Sequence, residues 1–335
     1  MKLALIGCGN VGKALIDLLA MKKDYLIARK ISLTLCCVLD SKGGIYDDSG
    51  IDWGSLSKHL ERQSLGTHKQ YAAGGEEIHR IIQNMNIDTA VVATPTNKQT
   101  GEPGLTYIKA LLKRGINVVT ADKGPILLAY HALYQMALAH NAKLCIGCTT
   151  GGALPSVNAG LIDLAGADIY KIQGILNGTT NFILDEMEKH SISYEKALEK
   201  AQHLGIAETD PSLDVEGWDT AVKLLILTNV LMGSHKTLED ISVQGITGLT
   251  VADIIEARKK GEKFKLIGSA VKEDNAIRMR VGLEAIDNSN AFYRVDGKDK
   301  AVTYCSDTLG ELTIIGGASG VIPAAASLLR DIINL

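Results

Sequence analysis

Three observations predict an α/β protein in which a doubly wound, mostly parallel sheet is joined to a second, α+β domain. The chain opens with an apolar run that ends in Gly7-x-Gly9-x-x-Gly12 at the mouth of a helical pattern. Short apolar runs then alternate with helical stretches to about residue 150, which is how consecutive βαβ units read in sequence. Beyond that point strand-like and helix-like segments follow one another without strict alternation.

The glycine triplet is a dinucleotide-binding fingerprint of the Rossmann type. Gly7 permits a tight turn, Gly9 lets the backbone approach a pyrophosphate, and Gly12 allows the helix to pack closely. The free N–H groups of the helix start, around Asn10 and Val11, can then hold the phosphates. A second apolar run, Ile31 to Leu39, ends in Asp40, at about the twenty-to-thirty-residue remove where a ribose-binding acid is expected. Asp40 can accept two hydrogen bonds from a ribose diol and would repel a 2′-phosphate, whereas Ser41 and Lys42 beside it could bind that phosphate. NAD and NADP both stay open, with a lean to NAD.

In the first domain, residues 1–150, the pattern predicts strands at 2–6, 31–39, 88–94, 116–120 and 143–148, and helices at 11–22, 75–85, 102–113 and 128–139. Residues 41–75, rich in Gly, Ser and charge, read as a long loop with a short helix. Ligands of an open parallel sheet bind outside the carboxyl ends of its strands. Thr94, Pro95 and Thr96 after the third strand, and Lys123 after the fourth, therefore join the fingerprint as cofactor-site candidates. The second domain, residues 151–307, is expected to hold a strand over 169–176, a long helix near 217–233, and alternating strands at 277–286 and 301–305. The stretch from Ile314 to Gly320, with Gly317 at its centre, reads as a glycine turn into a helix over 324–333. Residues 308–335 are thus expected to return to the cofactor domain, bringing Gly317 to it.

Composition narrows the partners. The 335 residues include 35 basic and 38 acidic side chains, interspersed, for a net charge of −3, which argues against a nucleic-acid or anionic-membrane partner. The opening apolar stretch is too short for a signal-peptide core and no later run reaches the length of a membrane span, so a cytoplasmic protein is expected. Six cysteines, at 8, 36, 37, 145, 148 and 305, lie mostly in apolar runs and read as buried, reduced thiols. Cys145 and Cys148 have redox or half-zinc spacing, but no second pair completes a tetrahedral site, and no metal is expected there.

The densest polar cluster runs from Gly205 to Lys223. Asp210-Pro211 reads as a helix start, and the helix that follows is apolar nearly all round, which marks it as buried. Asp219 and Lys223 stand four apart on one face of it, with Glu216 three residues earlier on the same face. A charge pair beside so much apolar surface carries a desolvation cost of several kcal/mol per ion and is more often kept for a site than for a surface contact.

These motifs together resemble homoserine dehydrogenases over nearly the whole chain. The resemblance rests on Gly7-x-Gly9-x-x-Gly12, Thr94-Pro-Thr-Asn97 with Gly101-Glu-Pro103, Thr120-Ala-Asp-Lys-Gly-Pro125, Gly174-Ile-Leu-Asn-Gly-Thr-Thr-Asn181 and the block from Glu208 to Lys223. It implies reversible reduction of L-aspartate 4-semialdehyde to L-homoserine by NAD(P)H. Lys223 would donate the proton to the aldehyde oxygen and Lys123 would position or polarise the same region. Glu208, Asp214 and Asp219, with Asn177, Gly178 and Thr179, would hold the amino-acid substrate, and a homodimer through the second domain would be expected.

The chain departs from the family pattern in three places. Asp122 stands where the family has Asn, and Ile206 where it has an aromatic residue. Gly147 stands where the family has an acid that helps bind a monovalent cation, so a weak cation site or none is expected. With 335 residues, a regulatory domain or a fused kinase is not expected. Two other readings are a nucleotide-binding sensor that has lost catalysis and a dehydrogenase of another small amino acid or sugar. Lys123, Glu208, Asp214, Asp219 and Lys223, all kept, argue against the sensor.

Overall fold

The computed structural model describes residues 1–274 and 276–335, with side chains for all of these but 75–77. It contains two compact units, Met1–Ala153 with Gly320–Leu335, and Leu154–Ser319.

The first unit is the doubly wound sheet. β1 (Lys2–Ile6) leads through the glycine turn into α1 (Asn10–Met21), followed by α2 (Lys23–Ala28), β2 (Thr34–Leu39), β3 (Gly43–Tyr46), α3 (Trp53–Arg62) and β4 (Ala72–Ala73). Then come α4 (Gly75–Asn84), β5 (Thr89–Val92), α5 (Gly104–Lys113), β6 (Asn117–Thr120), α6 (Lys123–Ala139), β7 (Leu144–Cys145) and the short α7 (Cys148–Gly151). The strand order is β4-β3-β2-β1-β5-β6-β7. The β2-β1-β5-β6-β7 run is parallel, while β3 and β4 add antiparallel at the edge. Leu3, Ala4, Leu5 and Ile6 of β1 are all buried, as befits a central parallel strand covered on both faces.

Residues 41–75 hold more than a loop and a helix, because β3 and β4 also lie there. Gly43 and Gly44 hide β3 from a propensity reading, yet they are what lets it pair. A Cβ on Gly44 would lie 2.5 Å from the Val38 carbonyl oxygen and 2.3 Å from the Leu39 side chain. β2 begins at Thr34, since Ile31 is still closing α2 through a bond from its N–H to Leu26 O (2.9 Å). α6 starts at Lys123, well before 128, because Asp122 caps it by accepting from Gly124 N–H, and the helix bends at Ala129 (φ −144°).

The second unit comprises α8 (Ser156–Asn158), β8 (Ile169–Ile175), α9 (Gly178–His190), α10 (Tyr194–His203), α11 (Ser212–Val215), α12 (Trp218–Leu231), β9 (Ile241–Val243) and α13 (Val251–Lys259). It continues with β10 (Lys263–Glu273), β11 (Ala276–Ile286), β12 (Lys300–Ser306) and β13 (Gly310–Gly316), forming a sheet of order β13-β12-β8-β10-β11-β9. Helices α9, α12 and α13 pack on β10. α12 buries residues on every side, including Leu224, Leu225, Ile226 and Leu227.

The expected return to the first unit begins later than residue 308. β13 pairs along β12 from Ser306↔Gly310 to Lys300↔Gly316 and so belongs to the second sheet. Only from Gly320 does the chain rejoin the first unit. There α14 (Val321–Ile333) buries Ala325, Leu328, Leu329 and Ile332 in the same core as Leu15, Leu18 and Leu19 of α1. Among the described residues, no helix is long and apolar enough to cross a membrane.

Candidate active site

In the first unit a cleft of about 660 Å³ is lined by Gly7, Gly9, Asn10, Val11, Asp40, Ser41, Thr94 and Pro95 among others. The glycines behave as the fingerprint requires. A Cβ on Gly7, where φ is +108°, would lie 2.4 Å from Ala93 O, and one on Gly12 would lie 2.1 Å from Gly7 O. A Cβ on Gly9 would meet nothing within 4 Å, so open space lies where the backbone should admit a pyrophosphate. No side chain caps α1, and its first helical bond runs from Lys13 N–H to Gly9 O (2.9 Å). The amides before Lys13 are therefore open to an anion. The residues present fit a dinucleotide.

Asp40 is more committed than the sequence implies. Its Oδ1 accepts from Lys42 N (2.8 Å), Gly43 N (3.0 Å) and the Tyr71 hydroxyl (2.8 Å). These three bonds leave Oδ2 out. Lys42, Thr96 and Lys123 do not line the cleft. Thr94 Oγ1 donates to Asp122 Oδ2 (2.8 Å), and Gly124 N donates to Asp122 Oδ1 (3.0 Å). Burial pushes the Asp122 carboxyl up, against the hydrogen bonds from Thr94, Gly124 and Thr96 and the charge of Lys123. Lys123 is half-buried at the first turn of α6. Tyr107 of α5 and Ile78 of α4 also line the cleft. The sequence carried no motif pointing to them, since each is one apolar position on a helix face.

Gly317, read as a cofactor-site glycine, belongs to the second unit. It has φ +80° and a Cβ there would fall 2.6 Å from Leu154 N, so close packing accounts for it. Gly147 N donates to Asp331 Oδ2 of α14 (2.8 Å), which places a carboxylate beside the residue that lacks one. All six cysteines are free, and burial pushes Cys145 and Cys148 up to about 12.

In the second unit one asparagine organises the polar cluster. Asn177 follows β8 and caps α9, its Oδ1 accepting from Thr180 N (2.9 Å). Its Nδ2 donates to Asp214 Oδ1 (2.7 Å) and Asp219 Oδ2 (2.8 Å). Lys223 Nζ lies 2.5 Å from Asp219 Oδ2 and donates to Leu176 O (2.8 Å). The β8–α9 junction, α11 and α12 thus converge on two carboxylates and an ammonium. The Asp219 and Lys223 side chains are only 12% and 15% exposed, so this pair is not a solvated surface contact. Gly178 must be glycine, because a Cβ would lie 2.7 Å from Lys298 O. Thr179 Oγ1 donates to Ile206 O (3.1 Å), tying α9 to the loop that carries Glu208.

Two expectations change here, those for Glu216 and Asp210. Glu208 is exposed, and its carbonyl accepts from Gln202 Nε2 (3.1 Å). Glu216 does not share the face of Asp219 and Lys223. Gly217 (φ +91°) breaks the helix, leaving Glu216 exposed at the end of α11. Asp210 caps no long helix but accepts from Ser212 N and Oγ in a local turn before four-residue α11. Sequence reading also missed Lys300, which is 6% exposed. Burial, with Lys223 adding to it, pushes Lys300 down to about 8, against Asp219 and Asp299.

A fingerprint cleft in one unit and an acid-held lysine in the other define a dinucleotide-dependent dehydrogenase of a small polar substrate. The family model for homoserine dehydrogenase matches residues 155–333. A homoserine dehydrogenase from Methanocaldococcus jannaschii is 37% identical, with 100% of this chain and 98% of that protein covered. An NAD(+)-dependent homoserine dehydrogenase from Pseudomonas canavaninivorans is 34% identical over 100% and 96%. The crystal structure of a homoserine dehydrogenase from Thiobacillus denitrificans superposes with a TM-score of 0.83 at 26% identity, over 100% of this chain and 72% of that one. The chain belongs to the homoserine dehydrogenase family.

Proposed function

We propose that the protein interconverts L-homoserine and L-aspartate 4-semialdehyde with NAD or NADP. The observation that carries this reading is the Asn177–Asp214–Asp219–Lys223 cluster. The bound nicotinamide gives or takes the hydride. Hydride arriving at the aldehyde carbon builds alkoxide charge on its oxygen, which needs a positioned proton donor. Lys223 has three N–H donors, of which Asp219 and Leu176 O engage two. The third is assigned to the substrate oxygen, and its proton completes the alcohol. Asp214, Asp219 and Glu208 are assigned to the substrate's polar groups, with Asn177, Gly178 and Thr179. Lys123 is assigned to positioning.

The first unit is assigned to the cofactor, through Gly7, Gly9, Asn10, Val11, Gly12, Asp40, Ser41, Thr94 and Pro95. The Pseudomonas relative, NAD(+)-dependent by name, supports the lean to NAD. A homodimer in the cytoplasm completes the proposal, and sedimentation of the purified chain measures the assembly. The deciding assay is reduction of NAD⁺ or NADP⁺ with L-homoserine, set beside threonine, malate and aspartate. Turnover of one of those in place of homoserine moves the chain to another small-substrate dehydrogenase, and turnover of none favours a sensor.

Asp40→Ala is expected to lower kcat/KM with NAD more than with NADP, because it removes the ribose acceptor and the repulsion of a 2′-phosphate. Equal losses with both cofactors would detach Asp40 from the ribose. Activity is expected to change little when sodium or potassium replaces choline at constant ionic strength, since Gly147 offers no charge to offset cation dehydration. A steep, saturable response to either ion would show that another acid has become the ligand.

A further inference from the structure

Two lysines are buried in the second unit, and they differ in how they are satisfied. Lys265, 2% exposed, donates to Val295 O (2.5 Å) and Asn181 Oδ1 (3.2 Å) and has Asp296 Oδ1 at 3.8 Å. Asn181 Nδ2 in turn donates to the carbonyls of Val295, Gly297 and Asp299, so this lysine belongs to a closed structural network. Lys300, 6% exposed at the start of β12, donates to the Ser319 hydroxyl (3.2 Å), and among the described residues it makes no ion pair. The nearby carboxylate of Asp219 is already engaged by Lys223 and Asn177. Asp219 and Asp299 favour its charge only in part against burial and Lys223, and a buried ammonium with donors to spare is costly, a cost that a ligand anion lowers.

The place of the ammonium indicates which anion. Ser319 Oγ lies 3.4 Å from where a Cβ of Gly178 would be, at the first turn of the 13-residue helix α9. Asn177 Oδ1 takes the Thr180 amide and the first helical bond runs from Asn181 N to Asn177 O (3.3 Å). The Gly178 and Thr179 amides are left for an acceptor beside Lys300 and Ser319, while Asp214 and Asp219 are held by the Nδ2 end of the Asn177 amide. A zwitterionic amino acid matches that division of charge, with its ammonium toward the aspartates and its carboxylate toward the lysine.

We propose that Lys300, backed by the Ser319 hydroxyl, anchors the α-carboxylate of the amino-acid substrate and so selects amino acids over simple alcohols. The proposal rests on the homoserine reading. Its test is steady-state kinetics of Lys300→Met and Lys300→Arg with L-homoserine and with 3-aminopropan-1-ol, which lacks the carboxylate. Loss of a charge-assisted contact should raise KM for homoserine about tenfold or more in Lys300→Met. In that variant kcat should stay within about threefold and cofactor KM should not move. The preference for homoserine over 3-aminopropan-1-ol should shrink by the same factor, and Lys300→Arg should recover most of it. In the wild type, KM for homoserine should rise above about pH 8 as Lys300 loses its proton among Lys223, Asp219 and Asp299, and that rise should vanish in Lys300→Met. An unchanged KM in Lys300→Met, or a fall in kcat alone, overturns the proposal while the homoserine reading stands. A wild type that does not turn over homoserine overturns the reading and the proposal together. A folding defect is recognised by a raised cofactor KM in Lys300→Met, and Lys300→Arg then decides, a homoserine KM unlike the wild type's counting against the anchor.

Discussion

Lys223→Ala is expected to lower kcat by about 10²–10⁴-fold while leaving cofactor affinity unchanged. The lysine is fixed from two sides, by Asp219 Oδ2 at 2.5 Å and by Leu176 O at 2.8 Å. Under the proposed function its remaining proton is held in place before the substrate oxygen acquires charge, and such a contact acts mainly in the transition state. Removing the lysine leaves Asp219 without its cation but still hydrogen-bonded by Asn177, so the fold should persist. Stopped-flow turnover and fluorescence titration of the cofactor separate the two effects. Near-normal turnover would remove Lys223 from the chemistry.

The second large effect concerns the fingerprint, where two glycines should respond differently to the same added methyl group. Gly12→Ala forces a Cβ to 2.1 Å from Gly7 O, a backbone atom that cannot yield without shifting the turn. Overpacking of this kind costs about 1–3 kcal/mol. The displaced amides should also weaken cofactor binding by about tenfold or more. Gly9→Ala has φ −81° and ψ −161°, open to any residue, and no atom within 4 Å. Its stability should stay within about 0.5 kcal/mol of the wild type, yet the cofactor should bind more weakly because the methyl group occupies the phosphate path. Urea denaturation with cofactor titration tests both. Normal cofactor binding by Gly9→Ala would mean that the phosphates run elsewhere.

The first unit was legible because its signals are local. Leu3 to Ile6 read as a buried strand, Gly7 to Gly12 as the turn, and both are so. What escaped was set by distant partners. β3 is two glycines and two apolar residues, and only the backbone of β2 makes it a strand. The i,i+4 pair of Asp219 and Lys223 followed from helical spacing. Glu216 did not, because the left-handed turn at Gly217 resets the helix phase. Asn177, known beforehand only through a family motif, links segments that are 37 and 42 residues away in sequence. Lys300 sits in an ordinary alternating stretch, and its solvent exclusion is a property of the sheet rather than of its neighbours.

The late return of the chain at Gly320 bears on how the molecule is made. Ala325, Leu328, Leu329 and Ile332 complete a core whose other members come from residues 3 to 148. During synthesis the first unit must therefore wait, with the apolar side of α1 uncovered, until some 170 residues of the other unit have left the ribosome (Leu154–Ser319 lie between). A fragment ending at Ala153 should expose that side permanently and bind chaperones or aggregate. The same fragment joined by a short flexible linker to residues 320–335 should fold, a circuit that would turn the interrupted unit into a free-standing nucleotide-binding protein.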